Sequence, residues 1–338
     1  MSAFDFTWLD AERTIRFADQ AAAESASLLP QHGFENYALL TTERAAGQAP
    51  AVAETAATVL TVPAGPVPEA AAAVRPPVEG RPLVALGGGR VIDAAKGIAG
   101  ADGLPCAAIP TTLSGAPMTR IHRMPAGVET WNLTRPSLVI ADPALMASQE
   151  PEPRAASAMN ALAHAAEALY GPMANPVAEL AGLKAAELLS DGLEATNDDQ
   201  ARPRLALGAI LAGYAVGSGG FALHHVVGQT LVRVTGAPHA QAYAALLPHT
   251  LEAMLERDTD AIAKLGGALG LGSRNPAAVP ARVEELASHA GTATLGDLGV
   301  GPDSLDAVVE EILKRPDLAN TPNPPDAEEL RALLEAAL

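Results

Sequence analysis

Apolar and polar positions change their rhythm partway along the chain. Leu83 to Leu86 is a short continuous apolar run; Gly87, Gly88 and Gly89 follow, and then Val91, Ile92, Ala94, Ala95 and Ile98 recur at helical spacing. Short apolar runs bounded by turn residues predict buried strands, and a three-to-four repeat predicts a helix with one buried face. Strands are therefore expected over 37–41, 59–62, 83–86, 105–110 and 137–141, with helices over 51–59, 69–74 and from Val91 onward. The first 30 residues open with alternating apolar positions and pass into a helical stretch over 17–29 that ends at Pro30.

Beyond about residue 151 the strand-type runs stop. Helical repeats predict helices over 154–170, 176–193, 202–217, 221–234, 240–256, 260–269, 280–290, 304–314 and 326–337. The pattern predicts two domains: an α/β dinucleotide-type domain over 1–150 with a mainly parallel sheet, and an all-helical domain over 151–338. The Pro- and Glu-rich run around 148–153 marks the boundary. Ligands of parallel sheets bind beyond the C-terminal ends of the strands, where Gly87–Gly89 and Thr111–Gly115 fall.

Composition narrows the function. With 338 residues, 49% hydrophobic and 18% charged, the chain has enough apolar mass for about two globular domains. Its net charge of −17 argues against a nucleic-acid or anionic-membrane surface, and an anionic substrate needs local positive groups against that field. Cys106 is the one cysteine, set between Pro105 and an apolar run, so a buried structural thiol and a cytoplasmic location are expected. The first ten residues carry acids and no signal-type apolar run, and nothing approaches the roughly 20 apolar residues of a membrane span.

Two groups of residues are chemistry-competent. In strand, glycine turn and helix, backbone without Cβ can approach a phosphate, while the helix start supplies N–H groups and partial positive charge; Asp93 and Lys96 lie three apart on one side of that helix. The run matches neither GxGxxG nor GxxxxGK[ST], and a tight turn without a ligand is the bland reading. In the second half, Asn160 and His164 share a helix face four residues apart, His225 follows His224, and His239 follows Pro238. Three imidazoles and an oxygen donor fit either a divalent transition-metal site or satisfied core histidines. His249 reads as structural, and His32 and His122, in loops, as surface residues.

The segments GGGRVIDAAK at 87–96, IPTTLSGAPMT at 109–119, DPAL at 142–145, MNALAHAAEALYGPMANP at 159–176, ALHHVVGQTL at 222–231 and PHAQAYAALLPH at 238–249 make the chain resemble the iron-containing alcohol dehydrogenase superfamily. Within it the chain looks most like the maleylacetate reductases. The resemblance spans roughly 83–250 and implies the dehydroquinate synthase-like fold, with a dinucleotide-binding domain, a helical domain and a cleft between them. It implies that Gly87, Gly88 and Gly89 hold the pyrophosphate of NAD(H) or NADP(H), with Asp93, Thr111, Thr112 and Ser114 also in the cofactor site. The family's metal ligands fall on Asn160, His164, His225 and His239, for iron or zinc.

The departures shape the implied function. Asn160 replaces an aspartate, as in the maleylacetate branch. Gln229 stands where the family has a histidine thought to relay a proton, and a glutamine forms hydrogen bonds but is no general acid. The family's SGSE reads SGAP, with Ala116 and Pro117, and the segment 119–137 lacks a lysine often found there, leaving Arg120, His122, Arg123 and Arg135. The resemblance implies an NAD(P)H-dependent reductase of a small keto or enone acid, maleylacetate to 3-oxoadipate. His164, His225 and Gln229 take the catalytic positions, and Arg120, Arg123 and His239 the substrate positions. A metal-dependent alcohol dehydrogenase and a diverged member with a repurposed site share these motifs. By the same analogy the chain is a homodimer. Neither acid nor arginine marks Val62–Gly65, where a choice between NADH and NADPH is expected.

Overall fold

A computed structural model of the chain describes residues 5–271, 275–291 and 294–338. The chain forms two compact units, Met1–Ser148 and Gln149–Leu338.

The N-terminal unit runs β1 (Phe6–Asp10), β2 (Arg13–Phe17), α1 (Ser25–Gln31), β3 (Ala38–Thr41), α2 (Glu43–Gln48), α3 (Pro50–Glu54), β4 (Thr58–Thr61), α4 (Val67–Val74), β5 (Leu83–Gly87), α5 (Gly89–Asp102), β6 (Cys106–Pro110), β7 (Leu138–Ala141) and α6 (Pro143–Met146). The strands make one sheet in the order β1-β2-β7-β6-β5-β3-β4. All pairs are parallel except the β1–β2 hairpin. The central strands are apolar without alternation because both faces are covered: Leu83 and Ala85 enter one core cluster, Val84 and Leu86 the other. The opening region departs from its expected form, since Phe17 ends β2 and the residues behind it form only a short 3-10 turn and α1. Phe17 pairs with Phe6 and Ala141, so strand pairing overrides the local helical spacing. The helix expected over 51–59 stops at Glu54, because Thr58 onward pairs with β3.

The C-terminal unit is helical: α7 (Pro151–Tyr170), α8 (Pro176–Leu193), α9 (Asp198–Gly219), α10 (Leu223–Thr235), α11 (His239–Met254), α12 (Thr259–Ala268), α13 (Val279–Ser288), α14 (Leu305–Leu313) and α15 (Ala327–Ala336). Pro151 occupies the start of α7, where its missing N–H costs nothing, and Asn175 caps α8 through the N–H groups of Val177 and Ala178. Nearly every residue of α7 after Ala155 is buried; its alanines let neighbouring helices approach closely. Gly220, at φ 84°, makes the turn between α9 and α10, whose axes meet at 101°. Among the described residues no single helix is long and apolar enough to cross a membrane.

Candidate functional site

In the N-terminal unit, sheet register brings three loop starts side by side. Gly87 pairs with Pro110, and Leu40 with Ala85, so the ends of β3, β5 and β6 are neighbours. Beyond them lies a pocket of about 340 Å³ lined by Thr42, Arg44, Gly88, Gly89, Arg90, Val91, Thr111 and Thr112. Gly88 caps α5 in extended backbone, and the first N–H groups of the helix have no intrahelical acceptor. A Cβ on Gly88 would stand 3.0 Å from Thr112 Cγ2, and one on Gly89 would stand 3.3 Å from Ser114 Oγ. Ser114 Oγ is buried and lacks a hydrogen-bond partner among the described residues. The cradle therefore fits a phosphate group: it is walled so that only a bare backbone leaves room, and it faces a helix start.

Asp93 and Lys96 form a structural clasp behind this pocket. Lys96, fully buried, donates from Nζ to Asp93 Oδ1 at 2.8 Å, to the carbonyls of Ala116 at 2.9 Å and Ile121 at 2.7 Å, and to Thr119 Oγ1 at 3.4 Å. It fixes the loop that follows Ser114. Arg120 is exposed and donates to the Leu133 carbonyl at 3.0 Å; Arg123 is also exposed, and Arg135 pairs with Asp10 and Glu12. His122 overturns its surface reading. It is buried, its Nε2 accepting from the Thr134 N–H at 3.1 Å, because the 121–134 loop folds back on itself. His32 is exposed as expected. Cys106 is buried, and that burial pushes its thiol up to about 12.

In the C-terminal unit, α7, α10 and α11 gather the histidines. The rings of His164 and His225 stack with centroids 4.6 Å apart and planes 15° from parallel, and Phe221 stacks on His225 at 4.2 Å. His239, the first residue of α11, packs against Tyr243 one turn on at 4.2 Å, and Tyr243 meets His225 edge-on at 5.2 Å. Gly228 makes this possible, since a Cβ there would stand 2.7 Å from the Tyr243 ring. His239 is exposed, so the cluster opens to solvent on that side.

Glu167 organises the cluster. It lies three residues after His164 on α7 and is fully buried. Its Oε1 accepts the N–H groups of Ala222 at 3.2 Å and His225 at 3.1 Å, capping α10 from another helix, and its Oε2 accepts from His225 Nδ1 at 2.5 Å. That bond leaves His225 Nε2 as the free acceptor. Burial raises the Glu167 carboxyl to about 7, while His224 and the backbone N–H groups around it act the other way. Burial also lowers His164 and His225 well below the usual imidazole value, helped by the neighbouring histidines, with Arg315 adding to the effect on His225. His239 is lowered too, by desolvation where its ring packs on Tyr243. His224 is a support: its Nδ1 bonds Thr250 Oγ1 at 2.9 Å, and burial takes it down to about 3.

Gln229 is tied to a cation. Its Oε1 accepts from Arg315 Nη2 at 2.9 Å, and Arg315 also pairs with Asp317. Arg315 escaped the sequence reading because it arrives from 86 residues away. Glu167 left a clue there: it is the one charged residue between Met159 and Tyr170, set three places after a histidine.

Among the described residues no group of three or more His, Cys, Asp or Glu side chains is set to hold a metal ion. His164 and His225 stack with near-parallel rings, His225 Nδ1 is bonded to Glu167 and its Nε2 is free, and Asn160 brings a neutral oxygen, a weaker ligand than a carboxylate. Asn160 Oδ1, His164 Nδ1 and the Tyr243 hydroxyl are buried without partners among the described residues, which suits a polar organic ligand.

Comparison with known proteins agrees with both halves. The family description "Iron-containing alcohol dehydrogenase" matches residues 16–148, and "Fe-containing alcohol dehydrogenase family, C-terminal" matches 154–338. Maleylacetate reductase 1 of Rhodococcus opacus is 34% identical over 245 residues, 69% of this chain and 67% of that protein. Maleylacetate reductase of Burkholderia cepacia is 34% identical over 263 residues, 75% of this chain and 73% of that protein. The crystal structure of maleylacetate reductase from Agrobacterium tumefaciens superposes with a TM-score of 0.84 at 29% identity, covering 99% of this chain and 98% of that one. The chain belongs to the iron-containing alcohol dehydrogenase family, with the family's α/β N-terminal and all-helical C-terminal parts.

Proposed function

We propose that the chain is an NAD(P)H-dependent reductase of a small keto or enone acid, reducing maleylacetate to 3-oxoadipate. The observation that carries this reading is the match to curated maleylacetate reductases at 34% identity over 69% and 75% of the chain. The reduced nicotinamide supplies a hydride from C4 to an electron-poor carbon of the substrate.

The chain's own residues bind and orient. Gly87, Gly88 and Gly89 hold the pyrophosphate through bare backbone and the first turn of α5. Thr111, Thr112 and Ser114 line the dinucleotide, and Asp93 with Lys96 holds their loop in place. In the C-terminal unit Asn160, His164 and His239 offer polar atoms to the substrate, and His225, oriented by Glu167, offers Nε2. His164 and His225 are neutral at neutral pH and Gln229 does not ionise, so the proton that accompanies the hydride comes from water at the open His239 side. The substrate is an anion, and in the C-terminal unit Arg315, beside Gln229, offers a carboxylate its positive partner.

The same reading takes the chain as a cytoplasmic homodimer. A single, buried cysteine supports a reducing compartment. Val177 and Leu180 on α8, 58% and 71% exposed, with Met173 just before it at 59%, offer an apolar stripe to a second copy.

The test is steady-state oxidation of NADH and NADPH with maleylacetate, on protein stripped with chelator and then re-supplied with Zn²⁺ or Fe²⁺. Turnover without metal, changed less than about twofold by re-supply, is expected. Turnover restored only by metal would favour the alcohol dehydrogenase reading with Asn160 as a ligand. Absence of both turnover and dinucleotide binding would overturn the proposal.

A further inference from the structure

The pocket at the glycine turn of the N-terminal unit carries positive side chains besides the helix start. Arg44 and Arg90 both line it, and no carboxylate does. Arg44, in the first turn of α2 just beyond β3, donates from Nη2 to the Thr111 carbonyl at 3.4 Å, so its guanidinium reaches the loop at the end of β6. Arg90 enters from the first turn of α5. Thr42, which caps α2 through the Ala45 N–H, is the lining residue at the end of β3. In a chain of net charge −17, two guanidiniums and no acid in one pocket form a local inversion of the field. Thr111 and Thr112 add polar side chains to the same lining.

NADH and NADPH differ in one group. NADH carries a ribose 2′-hydroxyl, which sites commonly bind with a carboxylate acceptor; NADPH carries a 2′-phosphate, which a carboxylate repels and an arginine binds through paired N–H donors. The pocket has the second set of residues and lacks the first. Resting on the dinucleotide reading above, we infer that Arg44 and Arg90 bind the 2′-phosphate of NADPH and make it the preferred cofactor. Val62–Gly65 is then not where the choice is made. The discriminating side chains come from the first turns of α2 and α5.

The test is calorimetric titration of the full chain with NADPH, NADH, 2′,5′-ADP and ADP, without substrate. NADPH should bind at least tenfold more tightly than NADH, and 2′,5′-ADP more tightly than ADP, with the gap narrowing as salt is raised. Arg44→Ala and Arg90→Ala should each close most of that gap by weakening NADPH, and Arg44→Lys should keep part of it. Circular dichroism of each variant establishes that it is folded. Equal affinity for NADH and NADPH in the parent chain would overturn the inference while leaving the reductase reading intact. So would an Arg44→Ala variant that loses NADH and NADPH to the same degree, since the arginine would then serve the shared pyrophosphate. Binding of neither dinucleotide would overturn the reductase reading as well.

Discussion

His225 Nδ1 donates to Glu167 Oε2 at 2.5 Å, the imidazole 4% exposed and the carboxylate not at all. The same carboxylate caps α10 through two backbone N–H groups, so one buried acid sets both where α10 begins and which nitrogen of His225 is free. Glu167→Ala leaves those donors unpaired in the interior and should cost about 2–4 kcal/mol of unfolding free energy. Glu167→Gln keeps one acceptor oxygen but not the charge that fixes the tautomer. It should fold, bind NADPH within about twofold of the parent, and lose roughly tenfold or more in kcat. Wild-type kcat in Glu167→Gln would refute the positioning role.

The glycine cradle gives a sharper steric case. A side chain at Gly88 meets Thr112, whose Cγ2 would lie 3.0 Å and Oγ1 3.2 Å from the new Cβ. Gly88→Val should weaken binding of NADH and NADPH alike by at least tenfold, about 1.4 kcal/mol, with little loss of helical signal. Unchanged affinity by calorimetry would remove the phosphate from this turn.

Lys96 is a structural cation. Four oxygen partners surround its ammonium, and only Asp93 among them is charged. Lys96→Met, close in volume, strands the carbonyls of Ala116 and Ile121 and should destabilise the chain by about 3 kcal/mol. Chemical denaturation measures this, and a loss below about 1 kcal/mol would mean that the 116–121 loop holds itself.

Arg315 separates substrate binding from cofactor binding. It stands 2.9 Å from Gln229 with its side chain 20% exposed, and its charge reaches His225. Arg315→Gln should raise KM for the dicarboxylate about tenfold, equivalent to about 1.4 kcal/mol, and leave calorimetric affinity for NADPH unchanged. An unaltered KM would overturn this role for Arg315.

Stability should fall on the acid side. His164 and His225 sit well below their ordinary value of 6.5 and His224 near 3, chiefly through burial. Lowered folded-state values mean that the unfolded chain binds more protons as the pH drops through 6.5, so this stability is full above about 6.5 and declines below it. Glu167, raised from 4.5 to about 7, opposes this: its contribution is full below about 4.5 and is lost as the pH rises to about 7. Three imidazoles outweigh one carboxyl, so the urea midpoint should be lower at pH 5 than at pH 7.5. An equal or higher midpoint at pH 5 would contradict this assignment of protons.

Much of the architecture was legible beforehand because it follows from local periodicity. The spacing of apolar residues predicts a helix over 176–193 and α8 occupies Pro176–Leu193; the apolar run at 83–86 predicts a strand and β5 is Leu83–Gly87. The glycine turn and the Asp93–Lys96 pair are equally local. Where long-range pairing competed, locality failed, as at Phe17, which strand neighbours claim, and His122, which its own loop encloses.

The succession of strands and helices, the two-part organisation, the glycine turn and the set of histidines can be read along the chain, since each depends on residues a few places apart. What surrounds those residues comes from parts of the chain far away in sequence. Glu167 reaches His225 across 58 positions, Arg315 reaches Gln229 across 86, Arg44 reaches Thr111 across 67, and Arg13, in an alternating strand, is buried against Pro136 across 123. Those partnerships fix tautomer, charge and access. They arise from packing between elements, a free energy summed over contacts that no short window of sequence contains.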